Sequence, residues 1–203
     1  MKQRITALRE FWRGEYSHFV FITAVAFGVI VVLAYIAGYF LPEQCELVVE
    51  FFSAAVSESG VVDEAGDFSA VGLFFNNLRA MLLSAVYGFI PFVYFPAFSL
   101  GVNGVLLGML GAYYTRHHIS LLTYLAGILP HGIFELPALV LSLACGLYLC
   151  KSVTQYVRKN EKGVMRPLIT NMAWLFLLVM VPLLAAAAVV EAYVTPIVLN
   201  AMM

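Results

Sequence analysis

Charge is what this chain has least of. Asp, Glu, Lys and Arg together make up 11% of its 203 residues, against 63% hydrophobic ones, and mean hydropathy is +0.93. A soluble domain carries roughly a quarter charged residues, so this shortage excludes a chain that faces water on all sides and makes it an integral membrane protein. There is no basic patch and no aromatic–basic interleaving, which argues against nucleic acid as a partner. Cysteine is scarce too. Cys45, Cys145 and Cys150 are too few and too scattered for a disulfide framework or a metal knot, and the last two sit in an apolar run as small packing residues. The first apolar run, from near Phe19 to about Leu41, has no small-residue cleavage pattern near its end and is expected to stay as the first span. No motif implies a bound cofactor.

The few charges present are sharply sorted. Residues 42 to 70 hold Glu43, Glu46, Glu50, Glu58, Asp63, Glu64 and Asp67 with no lysine or arginine, whereas residues 151 to 166 hold Lys151, Arg158, Lys159, Lys162 and Arg166 against a single Glu161. By the positive-inside rule the N-terminus and the basic loop face the cytoplasm and the acidic segment lies outside. Residues 1–17, with Lys2, Arg4, Arg9 and Arg13 among Phe11, Trp12 and Tyr16, suit a cytoplasmic amphipathic helix at the interface. Residues 18–203 then form one transmembrane domain, with the acidic extracytoplasmic segment at 42–69.

An odd number of crossings must separate residue 70 from residue 150. Apolar stretches divide at Pro91 and at Thr115 to Ser120, giving spans near 70–90, 94–114 and 120–150, and a last one near 169–195. The expected architecture is an all-α polytopic bundle of about five transmembrane helices, with six segments possible if 120–150 forms a hairpin. The short Arg116-His117-His118 turn then falls outside although it is mildly basic, and its adjacent histidines read as loop residues rather than ligands. About 30 residues at about 1.5 Å each exceed the about 30 Å of hydrocarbon, so the 120–150 helix is predicted to break near Pro130, with Pro137 removing a further backbone donor.

Next to that expected break stand His131 and Glu135, four apart on one helical face. Ionisable groups in hydrocarbon are costly and signal a functional site or a polar lock. Other polar residues in apolar context are Asn76, Asn77 and Arg79 in the second span, Asn103 in the third and Glu191 near the outer end of the last. An intramembrane polar network of all seven is expected. Arg79 with Glu191, or Glu135 with Arg79 or His131, are the pairs the sequence permits. Asn76 and Asn77 could instead cap a helix start. His131 and Glu135 have metal-ligand chemistry, and Glu191 could complete a set, but a lone His-x-x-x-Glu is weak and a polar network is the preferred reading. Gly101, Gly104, Gly108 and Gly111 share one face of the third span and are assigned to helix packing, within the chain or between subunits of a homo-oligomer.

Four separated motifs converge on one family. Phe75-Asn76-Asn77-Leu78-Arg79-Ala80, Asn103-Gly104-Val105-Leu106-Leu107-Gly108, Pro130-His131-Gly132-Ile133-Phe134-Glu135-Leu136-Pro137-Ala138 and Glu191-Ala192-Tyr193-Val194-Thr195-Pro196 occur in the order and context of the stage II sporulation protein M family, which the chain resembles from about residue 18 to 200. The resemblance implies a multi-pass protein of the bacterial cytoplasmic membrane. It also implies a non-enzymatic scaffold for a cell-wall-remodelling complex in sporulation engulfment, with membrane-associated peptidoglycan hydrolases of the stage II sporulation protein D and P type as partners. The family also occurs in organisms that do not sporulate, and no catalytic residue is carried over from it. A transporter or channel component, or an intramembrane metal site, using His131 and Glu135, is the alternative expectation.

Overall fold

A computed structural model describes residues 2–61, 68–159 and 165–201. Asp63, Glu64 and Asp67 of the acidic segment, and Glu161 and Lys162 of the basic loop, lie outside the described residues. Among the described residues the elements are helices: α1 Lys2–Phe11, α2 Ser17–Phe40, α3 Pro42–Glu58, α4 Ala70–Val86, α5 Phe95–Arg116, α6 Leu121–Lys159, α7 Met165–Leu175, α8 Val181–Val189 and α9 Thr195–Asn200. Five stretches are long and apolar enough to cross a membrane: Arg4–Phe40, Ala70–Phe89, Phe95–Arg116, Leu121–Lys159 and Met165–Asn200. This is the five-span bundle that the apolar runs predict.

Local chemistry sets the boundaries. Gly14 is non-helical (φ −78, ψ −152) and kinks the chain between α1 and α2. Leu41 leaves the helical region and Pro42 opens α3, where its missing N–H costs nothing. The Ser69 hydroxyl oxygen accepts from the Gly72 amide at 3.2 Å and caps α4. Asn76 and Asn77 therefore cap nothing; they stand in the helix interior. The last span is one rod interrupted by two π-helical turns, Phe176–Met180 and Val190–Val194, each followed by a segment with proline in its first turn. A proline takes one donor from the ladder, and a widened turn is a local adjustment to that loss.

α6 is the central pillar, touching α2, α4, α5, α8 and α9. The break expected near Pro130 does not occur: α6 is continuous over 39 residues with Pro130 and Pro137 inside it. Each proline removes a single hydrogen bond, and a helix packed on several sides tolerates that loss. Excess length is therefore handled by protrusion or tilt. Around α6 lies a core that includes the fully buried Tyr16, Met81, Leu143, Met180 and Leu184. Two buried hydroxyls tie it to its neighbours, Tyr16 donating to the Leu141 carbonyl at 2.9 Å and Ser142 to the Met81 carbonyl at 2.7 Å.

The glycine face of α5 packs against α2. A Cβ at Gly104 would meet Ile30 Cγ2 at 2.7 Å, and one at Gly108 would run into the Val31 carbonyl oxygen. A Cβ at Gly111 would stand 3.3 Å from the rings of Tyr35 and Tyr124. Gly101 is a correction to the expected stripe, since a Cβ there meets nothing within 4 Å. Its position one turn earlier carries it beyond the line where the two helices touch. Further close approaches, not singled out from sequence, occur at Gly38, against Met109 and Ala112 of α5, and at Gly88 and Gly146, where α6 meets the Tyr87–Phe89 turn and Ser84 of α4.

The bundle has two chemically distinct ends. At one, Lys151 pairs with Glu15 at 2.9 Å, the Arg158 guanidinium stands 5.4 Å over the Phe92 ring, and the Phe92 amide donates to Thr154 Oγ1 at 3.0 Å. At the other, α3 lies along α5, and Arg116 Nη1 donates to the Tyr39 carbonyl at 2.9 Å. That bond places the basic turn at the end of α2 and satisfies one of its last carbonyls, so a cation on the acidic end has a structural task.

Candidate functional site

Position and spacing build the site from two helices. His131 and Glu135 are one turn apart on α6, and Glu191 comes from the π-helical turn Val190–Val194 of the last span. One ligand atom each of His131, Glu135 and Glu191 lies within 4.8 Å of the others. All three residues are half-buried. From residue 131 to residue 151 the helix rises about 30 Å, one hydrocarbon thickness. The cluster thus lies about 30 Å along α6 from the Lys151–Glu15 pair, toward the end that carries α3.

Hydrogen bonding fixes the imidazole. Thr195 has a single hydroxyl proton, and its Oγ1 donates to the Val190 carbonyl at 3.3 Å. The His131 Nδ1 lies 3.2 Å from the same oxygen, so the assignment that satisfies both is Nδ1–H donating to Thr195. That leaves the Nε2 lone pair free. Thr195 itself is buried. Pro137 lacks the amide that would bond to Ile133, so a backbone carbonyl on the same stretch of α6 is left without its helical donor.

The expected seven-residue network is only partly assembled. Arg79 is exposed on α4, and among the described residues neither Glu135 nor Glu191 forms an ion pair with it. Asn103 Nδ2 donates to the Ser99 carbonyl one turn away at 2.8 Å, a bond within α5. Asn76 is exposed and Asn77 half-buried. The rotation of α4 about its own axis decides this, and spacing along a sequence does not carry that rotation. Thr195 was not singled out from sequence. Its signal was present, because a hydroxyl residue four positions after Glu191 and just before a proline falls on the same helical face.

A second polar feature lies on the end that carries α3. A groove of about 490 Å³ is lined by Glu46, Val49, Glu50, Ser53, Tyr113 and His117. Within it the His117 ring lies 4.0 Å from that of Tyr113, with Nδ1 2.9 Å from the Tyr113 carbonyl. The inner face of α3 is held by Cys45, whose thiol donates to the Met109 carbonyl at 3.3 Å, and burial pushes that thiol up from its ordinary pKa. The outer face carries exposed Glu43, Glu46 and Glu50 beside Leu47 (65% exposed) and Phe51 (77% exposed).

Fold and site together define a polytopic helical membrane protein with a histidine–carboxylate cluster between two of its spans. Residues 17–196 match the family described as stage II sporulation protein M, and the chain belongs to that family. It is also similar to an uncharacterized protein of Methanocaldococcus jannaschii, 33% identical over 136 residues that cover 64% of this chain and 72% of the other. No solved structure matches it.

Proposed function

We propose that the chain is a non-enzymatic scaffold of the bacterial cytoplasmic membrane that anchors a cell-wall-remodelling complex, with α3 as its docking helix. The observation that carries this reading is the outer face of α3. It presents exposed Glu43, Glu46 and Glu50 next to Leu47 and Phe51, the last two left uncovered by the described residues. Exposed aromatic and aliphatic side chains flanked by charge are the composition of a protein interface. Charge sorting gives the orientation. The end with Lys151 and Arg158 faces the cytoplasm with the N-terminus, and α3 faces outward, on the side where peptidoglycan lies. The occupant on this reading is a membrane-associated peptidoglycan hydrolase of the stage II sporulation protein D or P type with a basic rim. Family membership supports that choice.

The test is crosslinked affinity capture from native membranes with the wild type and with Glu46→Lys/Glu50→Lys/Phe51→Ser. Cell-wall hydrolases should be recovered with the wild type and lost with the triple variant. Equal recovery by both removes α3 as the docking surface, and capture without any hydrolase removes the scaffold reading.

A further inference from the structure

We infer that His131, Glu135 and Glu191 form an intramembrane site for one divalent transition-metal cation of the zinc type. The inference is independent of the scaffold reading and rests on four features of the cluster.

The first is the donor set. One imidazole and two carboxylates, with ligand atoms within 4.8 Å of one another, are three protein ligands of the kind that hold a catalytic or exchangeable metal while leaving a fourth position open. Ligand atoms around a tetrahedral ion at about 2.1 Å stand about 3.4 Å apart, so side-chain rotation of about an ångström closes the shell. Imidazole tilts the preference toward zinc, iron(II) or cobalt and away from magnesium and calcium, which favour all-oxygen sets.

Charge balance is the second. Two carboxylates stand side by side in a largely apolar setting, and neither has a hydrogen bond or an ion pair among the described residues. Arg79, the cation the sequence offers as a partner, is exposed on another helix. Two adjacent anions without a partner are unfavourable in low dielectric. A divalent ion with two carboxylates and a neutral imidazole is a net-neutral cluster.

Third, the imidazole is prepared for ligation. Val190 O, Thr195 Oγ1 and His131 Nδ1 form a chain that holds the ring by its Nδ1–H and turns Nε2 into the free donor atom. Metal-binding histidines are oriented by this kind of outer hydrogen bond. Thr195 is therefore a positioning residue.

The fourth is the backbone. Glu191 stands in a π-helical turn, a widened geometry that recurs at functional sites in helices. In this turn the Val190 carbonyl accepts both the Thr195 backbone N–H and, at 3.3 Å, the Thr195 hydroxyl, and Glu191 is presented to α6.

The experiment uses the full chain in lipid nanodiscs, stripped with chelator and titrated with Co²⁺ alone and then with Zn²⁺. One Co²⁺ per chain should appear, with visible d–d absorption of a nitrogen–oxygen site that Zn²⁺ abolishes and excess Mg²⁺ leaves unchanged. Glu135→Gln, Glu191→Gln and His131→Gln should each weaken binding at least about 100-fold, and Thr195→Val about 10- to 100-fold. Zn²⁺ should also raise the unfolding temperature of the wild type and not that of the glutamine variants. Three results would overturn the site: less than stoichiometric Co²⁺ in the wild type, displacement by Mg²⁺, or unchanged Co²⁺ affinity in both glutamate variants. The wild-type titration decides the matter even if a variant misfolds.

Discussion

Gly108→Ala and Gly101→Ala place the same methyl group on the same helix and should have opposite effects. At Gly108 the new Cβ would overlap the Val31 carbonyl oxygen and lie 2.7 Å from Ala34 Cβ and 2.8 Å from the Tyr35 amide nitrogen. Carbon atoms pack at about 3.5–4.0 Å, so α2 and α5 must part by about an ångström. Two of the three obstructing atoms are backbone and cannot turn aside. Overpacking of this kind costs about 1–3 kcal/mol, while replacing a mid-helix glycine by alanine returns about 0.5–1 kcal/mol. A net loss of about 1–2 kcal/mol is expected at Gly108. At Gly101 nothing opposes the methyl within 4 Å, so only the gain of about 0.5–1 kcal/mol should appear. Thermal unfolding of the purified variants in the same detergent measures the difference, at about 2–4 °C per kcal/mol for a chain of this size. Gly104→Ala should fall between them, since it meets the side chain of Ile30 rather than backbone. If Gly108→Ala is as stable as Gly101→Ala, α2 and α5 do not approach as described.

The other predictions concern polar groups and sidedness. Thr23 is buried with its hydroxyl unpartnered, so the isosteric Thr23→Val should stabilise the protein by about 1 kcal/mol; a loss on unfolding in detergent would reveal a partner for that hydroxyl. The sequence permitted Glu135 to pair with Arg79 or His131. Among the described residues it forms no ion pair, so in chelator-stripped protein a Glu135→Leu variant should be more stable than wild type, by on the order of 1–3 kcal/mol, and a clear destabilisation would show a hidden ion pair. The three native cysteines are buried, so a Ser57→Cys variant should react with an impermeant maleimide from outside intact cells and a Tyr156→Cys variant only after permeabilisation. The reverse labelling would invert the bundle.

Apolar run lengths, divided at Pro91 and at Thr115 to Ser120, carried the five spans, because hydrocarbon thickness leaves few ways to divide such a chain. His131 and Glu135 were legible for a related reason, since an ionisable residue in that environment stands out whatever it does. Glu191 could be named as a possible third member, but its approach to α6 depends on a π-helical turn that composition does not specify. Arg79 shows the opposite failure. Its charge made it a natural partner for Glu135, yet the face on which it emerges from α4 is set by the packing of Leu73, Met81 and Ser84 on that helix's buried side. The break at Pro130 failed because a proline removes only one helical hydrogen bond, and α6, packed on one side against α2, α4, α5, α8 and α9, runs on through Pro130 and Pro137. Gly38, Gly88 and Gly146 do stand in small-residue spacings, four after Ala34, Ser84 and Ser142, but such spacings are common in apolar helices and do not say which distant part of the chain each one faces.

The unbroken rise from Lys151 to His131 has a consequence for the lipids around this protein. Lys151 and its carboxylate partner prefer the headgroup layer, which pins one end of α6 at a water boundary. The cluster then stands about 30 Å away by helix rise, so the length of the acyl chains decides whether it is wet or dry. In a thin bilayer the carboxylates reach water and can exchange whatever they hold; in a thick one they are sealed in hydrocarbon, unless the helices tilt further. The membrane's own thickness becomes a setting for the chemistry of His131, Glu135 and Glu191, and reconstitution in lipids of graded chain length would read that setting directly.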